Sequence, residues 1–290
     1  MQMKTSDIRV KPGETVDLKK WPTSVPPVYA SKRDYNDLLD GHVAKLSDLQ
    51  EKLFATNKHA VLVILQAMDA AGKDGAIKHV MSGVNPQGCD VTSFRHPSAA
   101  ELEHDFLWRT TRDLPARGKI GIFNRSYYEE VLIVRVDPSI LEAEAVPDGA
   151  EIDGKIWRER YKSITGFEDH MHRNGTRIVK IFLHDSKSEQ KKRLLERIDD
   201  PKKNWKISAS DLEARKHWKK YRHAYETCIA ATSTTHAPWY VVPADDKLTA
   251  RLYVSQIILE VLEGLDMSFP EMTGARLHEL QHMRDELEKK

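Results

Sequence analysis

The sequence is poor in cysteine, in net charge and in long hydrophobic runs, and each shortage excludes a class of protein. Its two cysteines, Cys89 and Cys228, form no CxxC pair and indicate neither a disulfide framework nor a zinc site. With 45 basic and 44 acidic residues the net charge is +1, so the molecule as a whole does not attract nucleic acid or a membrane. No segment reaches the ~18 consecutive apolar residues of a membrane helix, and residues 1–14 lack the apolar core of a signal peptide. We expect a cytoplasmic protein that binds neither nucleic acid nor membranes.

Strand-like apolar runs alternate with helical patterns from residue 60 onward. The runs cover residues 60–66, 90–94, 119–123, 177–183 and 239–242. Five strands that alternate with helices predict an α/β fold of three layers, in which helices cover both faces of a mostly parallel five-stranded sheet. We expect a single domain over residues 31–266, preceded by an extended, proline-marked arm (1–30) and followed by a charged helical tail (267–290).

Several helix boundaries carry clear signals. The pattern S-x-x-E, in which a serine and a glutamate cap the first turn of a helix, begins at Ser98, Ser186 and Ser210. Long helices are predicted over residues 33–56, 153–173 and 247–262.

The stretch from residue 61 to 75, VLVILQAMDAAGKDG, has the form of a phosphate-binding loop. A buried strand is followed by small residues and then by Gly72 and Lys73 at the start of a helix. Backbone N–H groups of such a loop, the helix N-terminus and the lysine all attract phosphate. The pattern G-x-x-x-x-G-K-[ST] is matched imperfectly, because Ala67 replaces the first glycine and Asp74 replaces the magnesium-binding hydroxyl. The alternative is a turn whose small residues only allow close packing.

A second loop of reactive residues follows the third strand, and both loops should meet at the carboxyl edge of the sheet. Phosphate-binding kinases place an acidic magnesium ligand at the position that Asn124 occupies here. Asp69, inside the phosphate loop, is therefore the nearest candidate to hold Mg2+ or to act as a base over an acceptor. Arg125 and Glu129 follow at helical spacing, and the alternative for them is a surface ion pair.

A basic stretch, RLLERIDDPKKNWKIS, covers residues 193–208. In phosphate-loop kinases the segment after the fourth strand and its helix is a lid that supplies arginines to the transferring phosphoryl group, so we predict a lid over residues 190–210. The alternative is a solvated charged face. The next helix carries Trp218, Tyr221 and Tyr225 at three- and four-residue spacing, which favours core packing over stacking on nucleic acid.

Taken together, these segments resemble the type 2 polyphosphate kinase family, from about residue 29 to residue 264. Five blocks in the same order carry the resemblance: MDAAGKDG (68–75), GVNPQGCDVTSF (83–94), FNRSYYEEVLIVRV (123–136), LHDSKSEQKKRLLERIDDPKKNWKIS (183–208) and APWYVVPADDK (237–247). The resemblance implies a P-loop kinase fold similar to thymidylate kinase. It also implies transfer of the terminal phosphoryl group of inorganic polyphosphate to a nucleotide, or the reverse, with Mg2+ or Mn2+, by a homodimer or homotetramer.

The same resemblance assigns roles to individual residues. Asp69, Lys73 and Arg125 look catalytic, with Asp69 as the metal ligand. Asn124 and Glu129 resemble the branch with FNRS-x-YE, which accepts nucleoside monophosphates as well as diphosphates. The implied nucleotide-binding set is Asn124, Arg125, Ser126, Tyr128 and Glu129. The implied phosphate- and polyphosphate-binding set is Ala70, Ala71, Gly72, Lys73, Asp74, Lys180, Arg193, Arg197, Lys202, Lys203 and Lys206.

The chain departs from the family at one position, and two rival functions compete with the one that the resemblance implies. The family usually has glycine at the position of Ala67, so we expect weaker phosphate binding without loss of activity. The rivals are a kinase that uses ATP on a nucleotide or small metabolite, and a catalytically inactive protein that binds polyanions. We favour direct in-line transfer to AMP or ADP, with GMP and GDP as further acceptors, because an inactive protein has no reason to keep Asp69 beside phosphate sites.

Overall fold

A computed structural model describes residues 3–143 and 154–289 of the chain. One sheet is built from β1 (Ala60–Ala67), β2 (Cys89–Ser93), β3 (Ile120–Asn124), β4 (Thr176–His184) and β5 (Trp239–Pro243). All neighbouring strands are parallel, in the order β2-β3-β1-β4-β5. The α/β fold and its five-stranded parallel sheet are confirmed, and every strand boundary lies within one residue of its predicted position.

Within the described ranges, 12 α-helices connect and flank these strands. Residue 153, at which one helix was predicted to begin, lies outside the described residues. The helices are α1 (Lys32–Thr56), α2 (Lys73–Val80), α3 (Ala99–Leu102), α4 (Trp108–Thr111), α5 (Glu129–Val136), α6 (Pro138–Ala143), α7 (Gly154–Arg173), α8 (Lys187–Asp199), α9 (Ala209–Lys216), α10 (Trp218–Thr232), α11 (Lys247–Glu263) and α12 (Gly274–Glu288).

The sheet separates two hydrophobic cores, because successive residues of a strand face opposite sides. Along β1, Leu62 and Ile64 belong to the core shared with α5, α7 and α10. Val61, Val63 and Leu65 belong to the core shared with α1, α2 and α11. Every residue of β1 is buried, as expected for a central strand of a parallel sheet covered on both faces. The predicted three-layer arrangement is confirmed.

Two of the three predicted helix caps are confirmed and one is wrong. Ser98 and Ser186 each accept a hydrogen bond from the backbone N–H three residues later, at the starts of α3 and α8. Ser210 does not cap α9. Ser208 does, and Asp211 completes its capping box, because S-x-x-D offers the same pair of hydrogen bonds two residues earlier.

The N-terminal arm lies on the body of the domain. The backbone N–H of Val10 donates to the carbonyl of Trp239 (2.9 Å), and Arg9 forms an antiparallel bridge with Tyr240. Farther along, the hydroxyl of Thr23 donates to the carboxylate of Asp245 (2.7 Å). The arm therefore runs beside β5, the strand at one edge of the sheet.

At the other end of the chain, all residues of α12 are exposed. Among the helices described, none is both long enough and apolar enough to cross a membrane.

Candidate active site

A cavity of about 1160 Å3 opens at the carboxyl edge of the sheet. The loops after β1 and β3, the predicted lid and the first turns of α11 form its walls. In open α/β sheets this edge is where ligands bind. The two loops that carry the predicted reactive residues therefore share one cavity.

The loop after β1 turns at Ala70 and Gly72. Their φ angles are 65° and 113°, in the left-handed region that glycine adopts more easily than alanine. Ala67, in contrast, is the last residue of β1 and pairs with Leu183 of β4, so it has ordinary strand geometry. The replacement of glycine at Ala67 therefore places no unusual demand on the backbone, and the structure gives no conformational reason for weaker phosphate binding there.

Helix α2 begins directly after this loop and presents free N–H groups to the cavity. Gly72 caps the helix without a side chain, and the N–H groups of the first turn have no acceptor within the helix. Together with the partial positive charge of the helix N-terminus, they favour an anion. All the predicted loop residues line the cavity: Ala70, Ala71, Gly72, Lys73 and Asp74.

Lys73 brings a full positive charge into this loop. Its ammonium donates a hydrogen bond to the carbonyl oxygen of Ala67 (3.2 Å). Burial and the nearby Arg125 lower the pKa of Lys73, whereas the charge of Asp69 opposes them. A phosphate in the loop would favour the charged form, because an adjacent anion raises the pKa of an ammonium.

Asp69 and Arg125 come from two different loops and form an ion pair in the cavity wall. The guanidinium of Arg125 donates a hydrogen bond to the carboxylate of Asp69 at 3.1 Å. The side chain of Asp69 is 29% exposed and that of Arg125 is 35% exposed. Arg125 has a φ of 65°, which is unfavourable for arginine and is held by a hydrogen bond from its N–H to the carbonyl of Leu65 (3.0 Å). The structure thus fixes an arginine and a carboxylate beside the phosphate loop, where both can contact a substrate.

Glu129 lies behind this pair and is only 9% exposed. Its carboxylate is 3.9 Å from the guanidinium of Arg125. Burial raises the pKa of Glu129, and the charge of Arg125 offsets part of that rise. With Asp69 and Arg125 it lines a small pocket of about 40 Å3. The alternative of a surface ion pair does not describe Arg125 and Glu129.

Asn124 and Asp74, which depart from the usual kinase residues, contact each other. The amide of Asn124 donates to one carboxylate oxygen of Asp74 (3.0 Å), and the ammonium of Lys206 donates to the other (3.4 Å). Burial works to raise the pKa of Asp74, but these two partners outweigh it and hold the pKa below its usual value. The pair therefore links β3, the phosphate loop and the lid.

Arg193 lines the cavity beside the phosphate loop, where its guanidinium is engaged by main-chain carbonyls of that loop. Its guanidinium donates to the carbonyls of Ala71 (2.7 Å) and Ala244 (2.6 Å), and its Nε donates to Glu189 (2.9 Å). Two longer bonds, to the carbonyls of Ala70 (3.4 Å) and Asp245 (3.0 Å), occupy its remaining N–H groups. With its five N–H donors engaged and 3% exposure, Arg193 holds the phosphate loop in place, and its contact with phosphate stays a prediction.

The remaining lid cations divide into those that line the cavity and one that does not. Arg197, Lys203 and Lys206 line it, and the exposed ring of Trp205 lies under the ammonium of Lys206 (4.9 Å). Lys202 is exposed and does not line the cavity. The alternative, a charged face that contacts only solvent, is thus inconsistent with the positions of Arg197, Lys203 and Lys206.

Lys180, Ser126 and Tyr128 lie outside the cavity, so their predicted contacts with phosphate and nucleotide do not fit the structure. Lys180 is 0% exposed, and its ammonium donates to Glu168 (2.6 Å) and to the hydroxyl of Tyr128 (3.0 Å). The hydroxyls of Tyr127 and Tyr128 donate to the same glutamate. Ser126 is also 0% exposed. Lys180, Glu168 and the two tyrosines form a buried polar network below the loop that carries Arg125.

The described residues provide carboxylates for a cation but no complete cage. They contain no group of three or more His, Cys, Asp or Glu side chains that could hold a metal ion. Mg2+ is commonly held by one or two carboxylates together with the phosphates of its substrate. Asp69, which lines the cavity beside the phosphate loop, fits that arrangement.

A family model described as polyphosphate kinase 2 matches residues 29–270. The chain belongs to the polyphosphate kinase 2 family. It is similar to a Rhodopseudomonas palustris protein named ADP-polyphosphate phosphotransferase, with 63% identity over 99% of both chains. A Meiothermus ruber protein named AMP/ADP-polyphosphate phosphotransferase is 44% identical over 91% of this chain and 94% of its own length. The crystal structure of polyphosphate kinase 2 from Arthrobacter aurescens has a TM-score of 0.86 and 40% identity, with 97% of each chain covered. The predicted family and the P-loop kinase fold are confirmed.

Several residues that line the cavity were not predicted from the sequence. Arg95 follows β2, and Lys247 and Arg251 lie one turn apart on α11. The i, i+4 spacing on α11 was a usable signal, because it places both cations on one helix face. Tyr221 lines the cavity, whereas Tyr225 is buried, so the core-packing interpretation of the aromatic helix holds for Tyr225 only.

Asp185, directly after β4, was also missed. It is 1% exposed, and no hydrogen-bond partner is found for either carboxylate oxygen within residues 3–143 and 154–289. Burial raises its pKa to about 7, although the charges of Arg193 and Lys73 act to lower it. Asp185 is therefore a buried carboxyl below the phosphate loop whose charge depends on pH near neutrality.

Proposed function

We propose that this chain transfers the terminal phosphoryl group of inorganic polyphosphate to a nucleoside mono- or diphosphate, and catalyses the reverse reaction. The observation that carries the proposal is the Asp69–Arg125 pair beside a phosphate loop, in a cavity with further cations from the lid. The names of the relatives from Rhodopseudomonas palustris and Meiothermus ruber support the same substrate classes.

The chemistry is a displacement at phosphorus. A terminal phosphate oxygen of the nucleotide attacks the last phosphorus of the chain, and the bond to the next bridging oxygen breaks, which leaves a polyphosphate one unit shorter. Catalysis of such a transfer consists mainly of alignment and stabilisation of negative charge. The N–H groups at the start of α2 and the ammonium of Lys73 bind phosphate, and the guanidinium of Arg125 is placed to stabilise the transferring group. No covalent phosphoenzyme is required.

We propose Asp69 as the ligand of Mg2+, with Mn2+ as a substitute. Its carboxylate lies in the cavity wall opposite Arg125, and substrate phosphates would complete the coordination. A divalent cation at this place neutralises charge on phosphate oxygens and helps to orient them. Substrate binding releases Arg125 from Asp69 in this scheme, because a phosphate competes for the guanidinium.

The identity of the nucleotide acceptor, a monophosphate or a diphosphate, is a separate part of the proposal. The relative that is 63% identical is named for ADP alone, and the relative that is 44% identical is named for AMP and ADP. Asn124 and Glu129 match the FNRS-x-YE pattern, and both lie beside Arg125 at the carboxyl edge of β3. We propose that both acceptor classes are used. The homo-oligomeric state, the cytoplasmic location and the domain limits stay predictions.

The test supplies one donor and one acceptor at a time. The protein is incubated with Mg2+ and long-chain polyphosphate plus AMP, ADP, GMP or GDP, and products are separated by chromatography. We expect ADP and ATP from AMP, and ATP from ADP. ATP as sole donor with AMP or GMP is the comparison, and transfer only from ATP would contradict the proposal. Products from ADP but not AMP would restrict it to diphosphates.

A matched pair of variants ties the activity to the cavity. Asp69→Asn removes the proposed metal ligand, whereas Asp48→Asn changes an exposed aspartate of α1 that pairs with Lys52. Full turnover by Asp48→Asn with loss in Asp69→Asn is the expected result. Equal turnover in both variants would exclude Asp69 from the reaction.

A further inference from the structure

The cavity continues past the phosphate loop to α11, for which the sequence predicted no site residue. Lys247 and Arg251 line it there, four residues apart. Four residues of an α-helix rise about 6 Å, so the two cations follow each other along one face. Lys247 is 3.7 Å from Glu196, a surface partner on α8.

Arg251 approaches the start of α2 closely. A Cβ atom at Gly75 would lie 3.3 Å from Nη2 of Arg251, so the guanidinium lies against the first turn of that helix. The absence of a side chain at Gly75 permits this approach. A guanidinium beside the positive end of a helix is unfavourable unless an anion lies nearby.

Arg251 also differs from its cationic neighbours in having no partner. Within residues 3–143 and 154–289 it forms neither an ion pair nor a hydrogen bond, whereas Lys206 is held by Asp74 and Lys203 by Asp200. The side chain is half-buried in the cavity wall. A partly desolvated cation without a counter-charge costs free energy that a bound anion recovers.

The opposite wall of the cavity has a different chemistry. Ile133, Val136 and Tyr221 line it between α5 and the start of α10. Apolar and aromatic surface suits a nucleobase, whereas a chain with a negative charge on every unit needs cations at intervals. The cationic wall on α11 therefore belongs to the polyphosphate side of the site.

We propose that Arg251, with Lys247 one turn before it, binds units of the polyphosphate chain remote from the transferred group, and that this contact makes the enzyme prefer long chains over short ones. This inference rests on the proposed function. It assigns no role to Arg251 in the chemical step, since the guanidinium contacts the chain and not the reacting phosphorus.

The test compares chain lengths in one variant. For Arg251→Ala we expect the KM for long-chain polyphosphate to rise about tenfold, the effect of one charge-assisted contact. The KM for tripolyphosphate, the KM for ADP and kcat should stay within about twofold of the wild-type values, because in this proposal Arg251 contacts only units of the chain beyond the third phosphate. The slope of log KM for the long chain against log salt should fall by roughly 0.7.

Three controls make the outcome decisive. Arg33→Ala removes an exposed arginine of α1 that lies outside the cavity and should change nothing. Arg251→Lys keeps the charge, should recover most of the long-chain KM, and replaces the alanine variant if that one fails to fold. Calorimetric titration of the wild type and the variant with long-chain polyphosphate measures binding without turnover.

Each result is assigned to one claim. An unchanged KM for the long chain, or an equal rise for tripolyphosphate, would overturn the role of Arg251. Absence of transfer from any polyphosphate by the wild type would instead overturn the proposed function, and the titration would then decide whether Arg251 still binds the chain.

Discussion

The guanidinium of Arg193 donates a hydrogen bond to the carbonyl oxygen of Ala71 at 2.7 Å, so a side chain of the lid helix holds the phosphate loop from behind. Through Ala244 the same guanidinium holds the loop after β5. The turn at Ala70, which is unfavourable for alanine, is thereby stabilised from outside the loop.

Replacing Arg193, which holds the phosphate loop and the loop after β5, should destabilise the fold. In Arg193→Met several buried carbonyl oxygens lose their donors, and we expect the free energy of unfolding to fall by about 3 kcal/mol, measured by urea denaturation. Arg197→Met, one turn later, removes a single contact to the carbonyl of Lys206 (3.2 Å) and should cost less than about 1 kcal/mol. Similar losses of unfolding free energy in the two variants would contradict this role of Arg193.

The carboxylate of Asp69 should matter for turnover and little for stability. Asp69→Asn keeps the shape of the side chain and removes its charge, so we expect kcat to fall by a factor of about 100 or more. The half-exposed pair with Arg125 contributes less than about 1 kcal/mol to folding, so the melting temperature should hardly change. A variant that folds and keeps full turnover would remove Asp69 from the mechanism.

The buried network around Lys180 should behave as structure. Lys180→Met leaves Glu168 as a buried charge without its counter-ion, and we expect a loss of about 3–5 kcal/mol in the free energy of unfolding. The double variant Lys180→Met/Glu168→Gln removes both charges and keeps an acceptor for the two tyrosines, so part of that stability should return. Any folded Lys180 variant should keep the wild-type KM for polyphosphate. A raised KM with intact stability would show that Lys180 binds polyphosphate after all.

Asp185 should make stability depend on pH. Its carboxyl has a pKa of about 7 in the folded protein, against 3.8 for an exposed aspartate, so the folded state holds the proton more tightly. The protonated Asp185 carboxyl thus contributes its full stabilisation of the folded state below about pH 4. This stabilisation declines as the pH rises towards 7, and little of it remains above pH 7. We expect Asp185→Asn to stabilise the protein at pH 8, by at most about 4 kcal/mol, and to have little effect at pH 4. Thermal unfolding at the two pH values measures this, and equal shifts at both would contradict it.

The sequence predicted the sheet well because burial leaves a local pattern. Residues 60–65 form an uninterrupted apolar run, and residues 178–183 form one that only Lys180 interrupts, as a central parallel strand requires. The phosphate loop was also predictable, since such a run is followed by a few small residues and then by Gly72 and Lys73. What the pattern could not show was the place of the turns, because positive φ at Ala70 leaves no signature in an alanine.

Cations were harder to assign than strands. Lys180 lies in the middle of β4 between the buried residues Val179 and Ile181, a position that indicates a buried lysine, but its partner Glu168 lies on α7 and is found only in the fold. Arg193 shares a buried helix face with Gln190 and Leu194, which indicates an inward-facing side chain. Most of its acceptors are main-chain carbonyl oxygens, which every residue carries, so the sequence gives no sign of which ones Arg193 contacts.

The arm along β5 also bears on how the molecule avoids pairing with others. A parallel sheet has two open edges, and an exposed edge can bind the strand of another molecule. The arm occupies the backbone of Trp239 and forms a bridge at Tyr240, so the β5 edge is partly covered by the chain itself. At β2, the other edge, the ion pair of Asp90 with Lys119 places charge beside the strand. Removing the first residues of the chain would therefore open β5 to intermolecular sheet formation and aggregation.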